Sequence, residues 1–598
     1  MDAGASEIPP SSGTRAELEG IGGSAGFAIG PAFVLDPGRL GVVHRRVKAH
    51  QVADEMARYD SAVGKAAQDL TEAIERVASR GNPAGAEISI LEAYRLMVGD
   101  PTLRDEVERE VAINFQCAEW ALESAAAGLA EQLGGTDDPY LAERSHDFAF
   151  VRDRILRALT GQDRKMLDPG ADPVILVAHD LSPAETATLS KDNVLAIVTE
   201  IGTRTSHTSI LARALEIPAV VGVRGALSSI ANGDILVVDG IHGRVVVSPD
   251  DARLDQLQPQ AERYYAQARG LRERRDEPAL TADGVLIDIQ ANIELTIEAQ
   301  IALSHGARGV GLYRTEFLYI DRAEPPDEEE QYQAYRRVVE IMAPLPVTLR
   351  TFDIGGDKFV TSIRMPHEMN PALGLRAVRL GLERPELLKT QLRAMVRSSA
   401  HGRIRIMIPM VASLNEVRAV KTLLNEAIQE VSRAGHPHAD HIPLGCMIEV
   451  PSAAILADEF ARESEFLSIG TNDLVQYALA VDRSSRELAG LASYFDPAVV
   501  RLIKGVITAG NFRKRPVSVC GAMASDPLAA LLLLGMGLRS FSMEASAIPE
   551  VKAALSRVSL AEAEEGAGIA FEATTAHELE QAMAERFGPL VGDLLDPG

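Results

Sequence analysis

The sequence predicts a multidomain α/β protein: a β/α domain with an all-helical insertion, a polar linker helix, and a C-terminal (β/α)8 barrel. Three observations predict it. Short β-branched runs bounded by Gly, Pro and Asp occupy residues 18–35 and return from about 170 to 247. Between about 50 and 160 the apolar spacing is helical only. After residue 280, eight apolar runs alternate with helix-compatible stretches, the pattern of a closed TIM-type barrel.

Taken in order, "MDAGASEIPPSSGTRAELEG" is acidic and polar, with neither a basic n-region nor an apolar h-region. Residues 1–17 are expected to be a disordered tail, not a signal peptide. "LEGIGGSAGFAIGPAFVL" (18–35) is glycine-punctuated and β-like. Met56, Tyr59, Val63, Leu70, Ile74 and Val77 then form an amphipathic stripe, which "GNP" at 81–83 breaks. Helices are expected near 85–98, 102–115, 117–133 and 141–160, their charges reading as solvated faces. "DPVILVAHDLSP", "VLAIVTEIG", "PAVVGV", "GDILVVDG" and "GRVVVSP" read as strands, with a helix at 206–215. They are expected to pack with the first ~40 residues, since strands alternating with helices build one sheet. "LDQLQPQAERYYAQARGLRERRDEPA" (254–279) is long, polar and helical. The expected boundaries are a tail at 1–17, a β/α domain at 18–48 and 165–253, a helical domain at 49–164, a linker helix at 254–280 and a barrel at 281–592.

The barrel strands are expected at 285–291, 309–313, 346–350, 404–410, 444–449, 466–470, 517–520 and 538–543. Hydrophobic content of 46% and charged content of 24% are ordinary for a globular protein. A net charge of −25 argues against a nucleic-acid binder, which needs cations facing phosphates. The three cysteines form no CxxC pair, which fits a reducing cytoplasm. No run of ~20 apolar residues occurs, so no membrane span is expected.

Polar residues follow the predicted strands: Asn292, Arg314 with Glu316, Arg350 with Asp353, Glu449, Asn472 with Asp473, and Cys520. In a barrel these C-terminal ends converge on the face where active sites lie. Arginines are bidentate donors for phosphate or carboxylate. Glu449 and Asp473 offer hard oxygens suited to Mg²⁺, and Arg483 stands near enough in sequence to join them. A small, multiply anionic, metal-chelating substrate is implied. Cys520 reads either as a buried small hydrophobe, as Cys446 does, or as an acid that protonates a carbanion. His207, in "GTRTSHTSILARALEIPAVVG" (202–222), could be a packing residue, a metal ligand or a nucleophile. No second ligand lies at i+3 or i+4, which disfavours metal. Thr205 and Ser206 are capping types, so His207 sits in a helix's first turn, where free N–H groups suit a phosphoryl group on the ring.

The His207 segment resembles the phosphohistidine motif of the phosphoenolpyruvate-utilising enzymes. With "GLYRTEFLY", "LRTFDIGGDK", "NPALGLRAVR", "MIEVPSAA", "IGTNDLVQYALAVDRSS" and "VCGAMASDP", the chain is similar to the Enzyme I family of the phosphotransferase system, from about residue 20 to 590. The resemblance implies a phosphoenolpyruvate-protein phosphotransferase of sugar transport, cytoplasmic and Mg²⁺-dependent. It implies His207 as the phosphorylated residue with Thr186 as its neighbour. Arg314, Arg350, Asn472, Asp473, Arg483 and Arg376 would line the phosphoenolpyruvate site, Glu449 and Asp473 would hold Mg²⁺, and Cys520 would protonate the enolate. The helical block would dock the carrier HPr, and the barrel would form a homodimer.

The chain departs from the family's usual pattern at Thr203, Ala25 and Ala522, where Gly, Pro and Glu are common. "AEWAL" and "EAYRL" look somewhat like the nitrogen-regulatory branch, whose extra sensory domain has no room here. A dikinase-type enzyme would need a nucleotide-binding domain, and neither a glycine-rich nucleotide loop nor the length for one is seen. A non-catalytic regulator is disfavoured by the intact strand-end residues.

Overall fold

The computed structural model describes residues 14–35, 42–79, 95, 97–134, 151–161, 172–181, 193–203, 206–319, 324–355, 370–482 and 488–595. The chain forms two compact units, Met1–Tyr264 and Tyr265–Gly598.

In the first unit the strands are β1 (Ala16–Glu19), β2 (Ile21–Ser24), β3 (Phe27–Leu35), β4 (Val174–Ala178), β5 (Val194–Thr199), β6 (Ala219–Val221), β7 (Ile235–Asp239) and β8 (Arg244–Val247). They make one mixed sheet in the order β1-β8-β7-β3-β4-β5-β6-β2. β3 pairs in parallel with β4, Ala32 opposite Ile175, so the sheet continues across the residues that carry the helical block. The alternation of β4 and β5 feeds two cores: Ile175, Val177, Ala196 and Val198 on one face, Leu176, Ala178 and Ile197 on the other, with Val194 brought to the second face by an irregularity at the start of the pairing. Near-continuous apolar runs are what a strand covered on both faces requires. Ala16 and Glu17, expected in a disordered tail, instead pair with Val247 and Val246. The physical reason is that β1 satisfies the open backbone groups along the edge of β8. Residues 1–13 of that expected tail lie outside the described residues.

The helical block has α1 (Val52–Ser79), α2 (Pro101–Ile113), α3 (Ala118–Gly134) and α4 at 151–160. Residues 85–94 and 141–150 of the expected helices lie outside the described residues. Met56, Tyr59, Ala62, Ala66 and Leu70 of α1 bury one face against Leu103, Val107, Leu122 and Ile155. The charges here are not all solvated, as the sequence had suggested. Glu55 is 5% exposed and Glu119 8%. Glu55 accepts Arg45 at 2.5 Å, Arg58 at 2.6 Å and the Ala118 N–H at 3.1 Å, while Arg58 also pairs with Glu119. Burial is tolerated because each carboxylate is met by a guanidinium or a helix-start N–H.

α5 (His207–Ala214) follows β5, and α6 (Asp251–Glu273) follows β8. α6 is the expected linker helix displaced toward the N-terminus: the Asp250 carboxylate accepts the Arg253 N–H at 2.8 Å and starts it early. Its expected last residue, Leu280, instead bridges to Leu286.

The second unit is a closed barrel of eight parallel strands: β9 (Asp288–Ile293), β10 (Val310–Arg314), β11 (Val347–Arg350), β12 (Ile404–Ile408), β13 (Leu444–Ile448), β14 (Leu467–Ile469), β15 (Val517–Val519) and β16 (Ser540–Glu544). β16 closes onto β9 with Ser540 opposite Asp288. The first strand begins at Asp288, not 285, because Val285 and Leu286 are used in the hairpin with Thr281 and Leu280. Asn292 therefore lies within its strand and not after it. Helices cover the barrel by ordinary amphipathic logic. α7 (Leu414–Arg433) starts at a Ser413/Glu416 capping box and buries Val417, Val420, Leu424, Ala427 and Val431, at alternating spacings of three and four. Each of its large apolar side chains contributes about 1.5–3 kcal/mol by leaving water. Among the described residues, no helix is long and apolar enough to cross a membrane.

Candidate active site

Every strand of the barrel is parallel, so all eight C-terminal ends open on one mouth. Arg314 ends β10 and pairs with Glu294, which follows β9. Burial opposes the charge of Arg314, but Glu294 and Glu316 outweigh it and raise its pKa. Arg350 ends β11 and is 4% exposed. Its Nη2 donates to Glu316 at 2.5 Å and lies 3.4 Å from Asp353, and its Nη1 reaches Met447 Sδ at 3.6 Å. Its Nε–H is buried and has no hydrogen-bond partner among the described residues. Such a donor is costly to bury unpaired and is suited to donating to an anion or a water.

Arg376 is 1% exposed and grips Asp353 through three contacts of 2.8–3.2 Å. Its Nη1 donates to Tyr477 Oη at 3.2 Å and stands 3.6 Å from Asp473. Its guanidinium fork is thus largely spent on protein carboxylates. Gly355, at φ +104°, lets the backbone turn there, since a Cβ would lie 2.8 Å from the Arg376 Cβ.

Glu449 follows β13, and Asp473 lies in the first turn of α8 (Thr471–Leu479), after β14. Glu449 Oε1 accepts the Met410 N–H at 2.6 Å, and Oε2 lies so near Gly470 that a Cβ there would be 2.6 Å away. Burial, then Asp473 and Asp353, push the Glu449 carboxyl up to about 8. A buried carboxyl whose proton affinity is raised by burial and by neighbouring carboxylates fits a divalent cation, which would relieve that repulsion. Asn472 holds the Ala522 N–H at 2.9 Å through Oδ1. That contact uses the backbone of residue 522 and does not depend on its side chain.

Cys520 follows β15, is 2% exposed, and points its Sγ toward the Ile469 carbonyl at 3.6 Å. Burial pushes the thiol up to about 11, so it is protonated and can donate. Arg350, Arg314 and Glu449 all act electrostatically on it, which places it in the same mouth. Asn292 donates to the Cys520 carbonyl at 3.0 Å and accepts from Ser542 at 2.6 Å.

In the first unit, Ser206 is the N-cap of α5, and His207 is its first residue. The Ser206 Oγ accepts the Ser209 N–H, and the hydroxyls of Ser206 and Ser209 both donate to the Thr203 carbonyl. Thr203 serves here through its backbone, so the turn does not need a second glycine. Gly202, at φ +127°, does need to be glycine: a Cβ would lie 3.1 Å from Val221. Thr186 and Arg483 lie outside the described residues.

The structure thus brings Arg314, Arg350, Arg376, Glu449, Asn472, Asp473 and Cys520 to one barrel mouth. His207 belongs to the other unit. Glu294 and Tyr477 were missed in the sequence. Glu294 continues the inward parity of Asn292, and Tyr477 sits one helical turn from Asp473, so both carried a periodic signal.

A (β/α)8 barrel with arginines and a buried carboxylate pair at its mouth defines an enzyme acting on a small anion with a divalent cation. Residues 19–144, 170–243 and 268–560 match the profiles described as PEP-utilising enzyme, N-terminal; mobile domain; and PEP-binding domain. The chain belongs to the PEP-utilising enzyme family. It is 41% identical over 546 residues to the phosphoenolpyruvate-protein phosphotransferase of Bacillus sp. (strain S), covering 91% of this chain and 94% of that one. The protein of the same name from Bacillus subtilis (strain 168) is 38% identical over 96% of this chain and 100% of its own length. A solution structure of Enzyme I (nEIt) is 32% identical and covers 42% of this chain and 99% of that chain, with a TM-score of 0.36.

Proposed function

We propose that this chain is a phosphoenolpyruvate-protein phosphotransferase that phosphorylates its own His207 and then a histidine of an HPr-type carrier, releasing pyruvate. The buried, unpartnered Nε–H of Arg350 among the barrel-mouth charges carries the reading. Arg314, Arg350, Asn472, Asp473 and Arg483 hold phosphoenolpyruvate, and Arg376 lines the site while fixing Asp353. Glu449 and Asp473 would hold Mg²⁺ through their hard carboxylate oxygens. The cation supplies charge neutralisation at the phosphate and enolate oxygens. The phosphate P–O bond to the enol oxygen breaks as a P–N bond forms to the His207 ring. Thr186 supports that ring, and Cys520 protonates the enolate carbon.

His207 and the barrel mouth belong to different units, so the two must meet during turnover. The domain limits we assign are 18–48 with 165–253 for the histidine domain, 49–164 for carrier docking, and 281–592 for the barrel, with 254–280 as linker. The helical block contributes none of the reacting groups, which suits a docking role. Homodimerisation through the barrel is supported by strongly exposed apolar side chains such as Ile455, Leu373 and Leu491. The reading is of a cytoplasmic enzyme of sugar uptake.

The test is His207→Ala incubated with phosphoenolpyruvate labelled in its phosphate. No stable label is expected on the variant, while phosphoenolpyruvate still binds. Stable label on another histidine refutes the assignment.

A further inference from the structure

Cys520 is the first residue after β15, so the regular ladder ends just where a thiol has to be aimed. The direction in which a side chain leaves the backbone is set by the two rigid peptide planes that flank its Cα. On the near side the ladder still acts: the Cys520 N–H donates to the Ile469 carbonyl of β14 at 3.0 Å. On the far side a side chain takes over. Asn292 of β9, two strands away around the barrel, donates from Nδ2 to the Cys520 carbonyl at 3.0 Å. β16 stands between them, and its Ser542 hydroxyl donates to Asn292 Oδ1 at 2.6 Å.

The chemistry of the two neighbours calls for an amide. A carbonyl oxygen only accepts, so the group that meets Cys520 has to be a donor, and the amide then turns its oxygen to the donating hydroxyl of Ser542. A carboxylate of the same shape would set an acceptor against an acceptor. Ser542 is buried and Asn292 half-buried. The residues after Cys520 are held from the opposite side, by α8. The Ala522 N–H donates to Asn472 Oδ1 at 2.9 Å, and Gly521 leaves no room for a Cβ against the Thr471 hydroxyl. Asn292 thus completes a grip on the Cys520–Gly521 peptide that strand pairing and α8 begin.

We infer that Asn292, held by Ser542, is a positioning residue that aims the Cys520 thiol at the methylene carbon of the enolate. The inference rests on the proposed role of Cys520 as the acid. In that step the S–H bond breaks, a C–H bond forms at the methylene carbon, and the enolate oxygen becomes the ketone oxygen of pyruvate, leaving a thiolate. Asn292 exchanges no proton. With both flanking peptides fixed, the thiol keeps one torsion, χ1, about which its sulfur turns from the Ile469 carbonyl, 3.6 Å away, toward the substrate. An enolate carbon has two faces, and an acid held on one side delivers its proton to one of them. Loosening the Cys520–Gly521 peptide therefore costs both rate and facial selectivity, while the arginines that end β10 and β11 stay in place.

The experiment uses the full-length protein with Mg²⁺ and phosphoenolpyruvate in excess, and follows keto-pyruvate formation in a single turnover by rapid quench. The phosphoenolpyruvate carries deuterium stereospecifically on its methylene carbon and the water carries tritium, so the pyruvate methyl group records which face was protonated. For Asn292→Ala and the isosteric Asn292→Asp, the rate at saturating phosphoenolpyruvate should fall about 10-fold, less than the roughly 10²–10⁴-fold worth of the acid itself. The half-saturating concentration should stay within about 2-fold, as for a group that acts only in the transition state. The methyl group should lose its single configuration. Ser542→Ala should shift the same readouts less, and Ser542→Thr, which keeps the hydroxyl, should restore them. Cys520→Ala runs alongside to separate the two claims. A slow Cys520→Ala beside wild-type rate and configuration in both Asn292 variants overturns the positioning role and leaves the acid standing. A raised half-saturating concentration with the configuration intact also overturns it, since Asn292 would then serve substrate binding. Wild-type behaviour in Cys520→Ala overturns both.

Discussion

Asp353→Asn tests the argument that carboxylates, not packing, hold the arginines of the barrel mouth. Asp353 accepts three contacts of 2.8–3.2 Å from Arg376 and lies 3.4 Å from Arg350. Arg376 is 1% exposed, so water cannot replace the lost charge. Removing one partner of a buried pair costs about 3–5 kcal/mol, because the other charge stays buried. Asp473, 3.6 Å from Arg376, and Glu316, 2.5 Å from Arg350, retain part of the compensation. The lower end, about 3 kcal/mol, is therefore expected. For a unit of this size that lowers its melting temperature by about 4 °C. Differential scanning calorimetry is the assay, and only the barrel's transition should move. The double variant Asp353→Leu with Arg376→Met, which removes both charges, should recover at least half of the loss. A shift under about 1 °C for Asp353→Asn, or a shift in the other unit's transition, refutes the reasoning.

Two further outcomes follow from the same kind of accounting. Burial works against the Glu55 carboxylate, but the Ala118 N–H and two arginines hold its pKa below the ordinary value. Its contribution to stability is therefore complete above the unfolded glutamate pKa, about 4.3, and is lost as pH falls through the lower folded value. Fluorescence of Trp120, the chain's single tryptophan and a member of α3, should report acid opening of the helical block, and Glu55→Gln should flatten that pH dependence. Opening that is identical in the two proteins counts against the network. Gly470→Ala should displace Glu449, because the new Cβ would meet Oε2 at 2.6 Å and the Glu449 Cβ at 3.0 Å. The Mg²⁺ concentration for half-maximal turnover should rise about 10-fold or more, the scale of losing a well-placed ligand environment. An unchanged Mg²⁺ dependence would show that Glu449 is not held where we place it.

The order of elements was determined by the chain alone, since strands covered on both sides must be apolar runs and amphipathic helices must repeat at three and four. Runs such as Ile404–Ile408 and Leu444–Ile448 are strands because no other element buries them so fully. The residues at the ends of those runs, Arg314, Arg350 and Glu449, were legible for the same reason: strand direction fixes where the next side chain goes. What the polar groups do with one another was decided only by the tertiary structure. Arg376 meets Asp353 and Tyr477, which lie 23 and 101 positions away. Arg350 pairs with Glu316 across two strands, and Glu55 is buried by Arg45, Arg58 and the start of α3. Hydrogen bonding and charge pairing are short-ranged and directional, so they are fixed once the barrel closes and the helices dock. The start of β9 shows the same limit. Asp288 and Gln290 were already expected in a strand at 285–291, but that the Ser540 hydroxyl, 252 residues along the chain, meets the Asp288 carboxylate was decided only by the closure of the barrel.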